Sequence, residues 1–600
     1  MTLSKLNRIT LIIFCLAGTV SAFDTLKVEA TLDTLRKEIT GSITYRLPSL
    51  PTMKAIEFQL FPNVYASEDS PYLKHAPNLL DNLRRSKKWG GVDIDSILLD
   101  KVNATSGLEV DYTRGTLVLP DSAGPAGRVV QIFFKTRIPE LGDRLSYFRG
   151  NYLLDGWFPS PAILNNDGTW YNPTYSGFCE LVGEYFQYEV NFAAPKGLVV
   201  VAALPPQSTA DSGSFINYRY TLGPVHDFAL VATGDYLTDS LAVGSTVFRF
   251  FYRPSEEPAL ASIIEASRKT YEYMSRQVGE YKYRYLTIAL VDFAFMGGVE
   301  LPGLICLSSP RGAMSFSNLY QSVVIHEVAH QWFYGMLGSN QIETPWMDES
   351  IAGLFTEKIL GAEWGKEGNL IRFAGFKATN GDFTRASQWS YGSGAGIVNR
   401  PAYSFVASQD YFGTIYSKGA LAAETFDNLL GDSLSSLFWR EYFKRFLFKH
   451  PGNEDFLATA GEIGGEKIGR VMQILLNSSE EIDYSISALS NRPGDSVETE
   501  VRLTLRKKGN LEYPVEYAII LANGDTLRGF WESPFGAEDI VRTLPSPAVE
   551  AMIDPDFKFA IDNNLMNNSF LVRPDSRAGM RLSSGIMFLL ESLLSFLGGW

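Results

Sequence analysis

Cysteine is scarce. The 600 residues hold three, at Cys15, Cys179 and Cys306, too few for a disulfide framework or a four-thiolate metal site. A metal in this chain therefore has to be held by histidine and carboxylate. Histidine itself is rare, with five copies. Basic charge is in deficit: 53 Lys and Arg stand against 67 Asp and Glu, for a net charge of −14 and a pI near 5.1. That balance excludes nucleic acid as the main partner, because phosphate binding needs a basic surface. No apolar run reaches the ~20 residues of a spanning helix, and internal repeats, low-complexity tracts and long charge runs are missing too. What remains is 45% hydrophobic and 13% aromatic, the composition of a large globular protein with material for several packed cores.

Residues 1–22 read as an export signal. Lys5 and Arg8 give a positive start, Ile9 to Val20 form a short apolar run, and Val20-Ser21-Ala22 supply small residues before Phe23. The mature chain is expected outside the cytoplasm, in a periplasm or the extracellular space, without Cys15. A lipoprotein is disfavoured because Phe14 precedes Cys15 where a small residue belongs. At the other end, Ile586 to Phe596 is apolar and carries only Glu591. From Ile586 to Trp600 a helix would reach ~22 Å, short of the ~30 Å hydrocarbon layer. The tail, residues 566–600, is expected either to dock on the protein or to make a peripheral membrane contact.

Periodicity divides the rest. Leu26, Val28, Ala30 and Leu32 alternate with polar residues, as do Ile39, Ile43, Tyr45 and Leu47, and again Phe186, Tyr188, Val190 and Phe192. Period two over these stretches predicts half-buried strands and a β-rich domain over 23–238. Near Ser255 the period becomes helical, through Leu260, Ile263, Ile264, Tyr271, Met274 and Val278. Tyr285 to Val291 reads as a strand, and mostly helical patterns continue through a second domain, 239–482. Alternation resumes at Ile486, with an Asn523-Gly524 turn between Tyr517–Leu521 and Leu527–Trp531, which predicts a β-sandwich over 483–565. The fold class is multidomain α+β.

The chemistry concentrates in Val323-Val324-Ile325-His326-Glu327-Val328-Ala329-His330. Residues four apart share one helix face, so the imidazoles of His326 and His330 can converge on one zinc ion while Glu327 stands beside them to hold a water. With 5 His and 67 acids in 600 residues, a chance H-[DE]-x-x-H is expected only about 0.005 times. Zinc needs a third protein ligand and keeps a fourth position for water. Trp346-Met347-Asp348-Glu349-Ser350 opens another helical pattern after Pro345, and Glu349, eighteen residues beyond His330, is the natural candidate. The other histidines, His75, His226 and His450, are scattered and read as structural or solvated.

Three separated motifs resemble the gluzincin zinc aminopeptidases, the family of membrane alanyl aminopeptidase and leukotriene hydrolase. H-E-x-x-H, eighteen residues and Glu is the first. Gly297-Gly298-Val299-Glu300-Leu301, about 25 residues upstream, is similar to the family's G-x-M-E-N segment. Tyr416-Ser417-Lys418-Gly419 looks like its Y-x-K-G segment. The resemblance implies an N-terminal β-rich saddle domain, a thermolysin-like zinc peptidase domain and a C-terminal β-sandwich. The family's large helical fourth domain is expected to be absent, since too few residues follow 565 to build it. It implies one Zn²⁺ per chain on His326, His330 and Glu349, with Glu327 as catalytic base and Tyr416 as the phenol that steadies the oxyanion. Glu300, with Gly297 and Gly298, is implied to bind the substrate, its carboxylate on the free α-amine of a peptide. Tyr411 is a weaker second tyrosine. Val299 and Leu301 replace the usual Met and Asn, and the glutamine that some members contribute from the first domain is not identifiable.

The expected function is that of a zinc aminopeptidase acting on peptides. Its rivals are an endopeptidase or epoxide hydrolase on the same zinc site, and an inactive peptidase-fold scaffold or peptide-binding protein.

Overall fold

The computed structural model describes residues 23–47, 53–119, 128–165, 167–293, 297–310, 319–365, 369–373, 376–390, 396–493, 498–532 and 535–573, with Ser584 and Met587. The export signal and residues 574–583, 585–586 and 588–600 of the tail lie outside the described residues, while Ser569–Leu571, expected to belong to the tail, is a strand. Among the described residues no helix is long and apolar enough to cross a membrane.

The alternating segments pair as their pattern requires. Leu26, Val28, Ala30 and Leu32 are buried, while Lys27 and Glu29 between them are exposed. A strand with one apolar face must lay it on a core. Thr25–Asp33 therefore sits mid-sheet, parallel to Phe186–Pro195 and antiparallel to Glu38–Arg46. The sheet has eight strands, in the order Ser208–Ser212, Phe215–Val225, Phe186–Pro195, Thr25–Asp33, Glu38–Arg46, Val129–Arg137, Gly91–Leu99 and Val102–Asn103. Two four-stranded sheets and a two-stranded one, Ile163–Leu164 with Trp170–Tyr171, complete this β-rich region among the described residues.

A mixed five-stranded sheet comes next, ordered Leu237–Val243, Thr246–Tyr252, Tyr285–Val291, Leu304–Ser308 and Gly298–Leu301. The sequence boundary at 238/239 thus falls inside the strand Leu237–Val243. That strand is exposed along most of its length, so it carries no alternation to mark it. The helix Glu257–Gln277 buries Leu260, Ile263, Tyr271 and Met274 on one stripe. The helices Leu319–Ala329, Trp346–Trp364, Ala420–Phe446, Asn453–Gly464 and Glu466–Asn477 follow, Ala420–Phe446 kinked at Gly431, φ 69°.

Strands return at Asp483. A three-stranded sheet of Asp483–Pro493, Thr499–Lys508 and Ala537–Leu544 accompanies a four-stranded one ordered Thr526–Trp531, Val515–Leu521, Ala548–Ile553 and Ser569–Leu571. One continuous apolar core joins the β-rich region to the helical one. The C-terminal strands have their own core, into which the helices insert Leu421, Ala422, Val471 and Leu475.

Leu26→Ala, at a site with no exposed surface, should destabilise the β-rich region by roughly 2–5 kcal/mol, whereas exposed Glu29→Ala should stay within about 0.5 kcal/mol. Denaturant unfolding of both variants measures the contrast.

Candidate active site

The helix Leu319–Ala329 carries His326 and Glu327 and ends just before His330, whose N–H still donates to the carbonyl of His326 at 3.2 Å. This continuation keeps both imidazoles on one side. Trp346–Trp364 begins behind Pro345 and presents Asp348 and Glu349 from its first turn, where a helix favours negative charge. The two helices pack together, and three atoms meet: His326 Nε2 lies 3.0 Å from His330 Nε2 and 3.1 Å from Glu349 Oε2, which is 3.4 Å from His330 Nε2.

That triangle fits zinc. Tetrahedral bonds of ~2.0–2.1 Å put neighbouring ligand atoms ~3.3 Å apart, close to the three separations observed. His330 Nδ1 hydrogen-bonds Asp348 Oδ1, with the carbonyl of Phe333 at 3.2 Å. Both are acceptors, so the proton sits on Nδ1 and the Nε2 lone pair is left for a metal. A second grouping, Glu300 with His330 and Asp348, is a poorer chelate, since Asp348 already occupies Nδ1 on the opposite side of the ring.

The other expected residues gather around this triangle. Glu327 is buried, and its Oε2 has no hydrogen-bond partner among the described residues. Burial pushes its carboxyl up to about 8, the direction a group needs in order to carry a proton in both directions near neutrality. Burial raises Glu349 as well, but hydrogen bonds and charge from the two imidazoles outweigh it and hold that carboxyl well below its ordinary value. Tyr416 hydrogen-bonds Glu349 Oε1 through its hydroxyl, and its ring stacks on His326 at 5.9 Å. Burial and the Glu349 charge raise the phenol, which keeps it a donor. Tyr416 sits on a π-helical stretch, Phe412–Gly419, a rare geometry that recurs at functional sites. Tyr411 is buried, stacked on Phe178 at 5.5 Å, in a packing position.

Glu300 lies on Gly298–Leu301, the terminal strand of the five-stranded sheet, paired antiparallel to Leu304–Ser308. Its Oε1 is 3.9 Å from His330 Nε2. Gly297, at φ 146°, exchanges hydrogen bonds with Ser308 through backbone and side chain. Gly298 makes room for the base: a Cβ there would lie 2.5 Å from the Glu327 carboxyl carbon.

Sequence reasoning missed two groups. Asp348 orients His330, and only its place beside Glu349 hinted at this. Glu180 comes from the β-rich region, 120 positions before Glu300, held by a buried two-point ion pair with Arg144. Burial, then the Glu180 charge, drives the Glu300 carboxyl well above its ordinary value. With Glu180, Glu300, Glu327, Asp348 and Glu349 all buried, the site is a concentrated negative well, a setting that favours a dication and an ammonium group.

Residues 263–474 match the model of the peptidase family M1 domain. Among curated proteins, the chain is 22% identical over 329 residues to probable aminopeptidase 1 of Sulfurisphaera tokodaii, covering 52% of this chain and 40% of that protein. It is 20% identical over 393 residues to aminopeptidase 2 of Candida albicans, covering 62% and 42%. The chain thus spans well under half the length of these relatives. Among solved structures, aminopeptidase A of Legionella pneumophila in complex with aspartic acid superposes with a TM-score of 0.63 at 11% identity, over 90% of this chain and 59% of that one. An M1 zinc metallopeptidase from Deinococcus radiodurans gives 0.54 at 14% identity, over 76% and 94%. The fold is that of these M1 structures, and residues 263–474 carry the match to the M1 peptidase domain.

One zinc per chain is expected on His326, His330 and Glu349. Asp348→Asn should weaken its binding by ~10–100-fold while leaving the three ligands in place, as chelator competition would show.

Proposed function

We propose that this chain, with its M1 domain, is a zinc-dependent aminopeptidase that removes N-terminal residues from peptides. The observation that carries the reading is the triangle of half-buried His326 with buried His330 and Glu349, with Glu327 and Tyr416 against it and Glu300 beside it. Zinc held there would polarise the scissile carbonyl and bring the pKa of a bound water towards ~7.

The chain's own groups supply the rest. Glu327 takes the proton of the attacking water and returns it to the leaving amine. The Tyr416 hydroxyl donates a hydrogen bond to the oxyanion as it develops. Glu300, a buried carboxylate with the Arg144-paired Glu180 near it, receives the peptide's α-ammonium, which fixes the cleavage point one residue from the end. The outer edge of Gly298–Leu301, which pairs with no other strand among the described residues, offers backbone hydrogen bonds to an extended substrate. Glu300 favours this reading over the endopeptidase, and the complete set of ligands and base favours it over an inactive scaffold. We place the mature enzyme outside the cytoplasm on the pattern of residues 1–22. The C-terminal tail has no part in the chemistry, since its only ionisable side chain from Ile586 to Phe596 is Glu591.

Peptides with a free N-terminus should be cleaved, and the same peptides acetylated should not, because acetylation removes the charge that Glu300 binds. Mass spectrometry of the digests decides, and efficient cutting of blocked peptides would support the endopeptidase instead. Gly298→Ala should keep the fold and the zinc while displacing the Glu327 carboxylate. A shift on the order of 1 Å costs about 10²-fold, so kcat should fall by that factor with KM little changed.

A further inference from the structure

The backbone leaves the zinc helix through a strained turn. Tyr334 is buried with φ 116°, a region that side chains with a Cβ avoid. The turn touches His330 twice: Gly335 N–H donates to the His330 carbonyl at 2.9 Å, and the Phe333 carbonyl lies 3.2 Å from His330 Nδ1. The strained residue therefore stands between two atoms that set the position of a metal ligand.

Something outside the turn has to hold it. His226, directly after the strand Phe215–Val225 of the eight-stranded sheet, places Nε2 at 2.9 Å from the Tyr334 carbonyl, with its ring edge-on to the Tyr334 ring at 4.6 Å. A carbonyl only accepts, so Nε2 carries the proton. Burial lowers the imidazole to about 4, so this donor is neutral near pH 7. The far end of the turn is tied separately, by Gly338 N–H to the Lys449 carbonyl at 3.0 Å and by His450 Nδ1 to the Gly338 carbonyl at 2.7 Å.

We propose that His226 is a positioning residue for the zinc site, holding the Tyr334 carbonyl so that the turn keeps His330 in place. The zinc affinity of the helical region then depends on a short hydrogen bond donated from the β-rich region, beside the longer contacts of the Tyr185 hydroxyl with the Gly335 carbonyl at 3.5 Å and of the Tyr334 hydroxyl with the Leu181 carbonyl at 3.4 Å. This inference rests on the zinc assignment of His330.

The test is chelator competition for zinc on the full chain, wild type against His226→Phe and His226→Gln. The Phe variant keeps a flat ring without the donor and should bind zinc ~10–100-fold more weakly, the usual effect of losing a group that orients a ligand. The Gln variant retains an N–H and should restore most of the affinity, which packing alone would not. Should the Phe variant fail to fold, His226→Asn, whose amide is too short to reach the carbonyl, takes its place. A folded Phe or Asn variant that holds zinc like the wild type would overturn the proposal, as would a Gln variant as weak as Phe. A wild-type chain that binds no zinc would overturn the metal assignment along with it.

Discussion

Two imidazole nitrogens and one carboxylate oxygen held within 3.4 Å of one another, in a largely buried place that reaches solvent at His326, are the constraint around which this protein is arranged. Isolated, such a group would be costly: lone pairs face each other, and four further carboxyl groups stand near them. Burying that much negative charge is tolerable only when a cation shares the space or protons fill in for it. The raised carboxyls of Glu327 and Glu300 are the protein's response to this crowding. They are also what makes the site selective, because a dication and an α-ammonium are the charges such a well would draw in.

The centre was legible in the sequence where it is local. His326 and His330 share a helix face by spacing alone, and Glu349 opens the next helix behind a proline. Glu300 and Tyr416 became visible through resemblance, and the structure brings both to the triangle. Glu180 and Arg144 left no sign, since nothing local marks a residue that acts 120 positions away. His226 shows the limit more sharply: it read as a structural histidine, and no periodicity links it to a turn 108 residues later. The strands followed the same rule. Those with one buried face declared themselves by period two, while Leu237–Val243, exposed along most of its length, did not.

Backbone detail sets the fine geometry. Gly298 is there for what it lacks, since a methyl group would collide with the base. The π-helical stretch turns Tyr416 towards Glu349 and His326, where a regular helix would change the angle of every later side chain. Tyr334 stores strain on the exit from the zinc helix. Each device costs local stability and is tolerated because a well-packed surrounding over-determines it.

The division of the apolar cores bears on how the molecule comes apart. The eight-stranded sheet and the helices around the metal triangle share one continuous interior, so neither can open without exposing the apolar surface of the other. The last seven strands have a separate interior, sutured to the helices by Leu421, Ala422, Val471 and Leu475. Cooperative units follow shared burial rather than the count of secondary elements. Heating should therefore release the C-terminal sandwich as one unit, while the metal site and the sheet over it melt together as another.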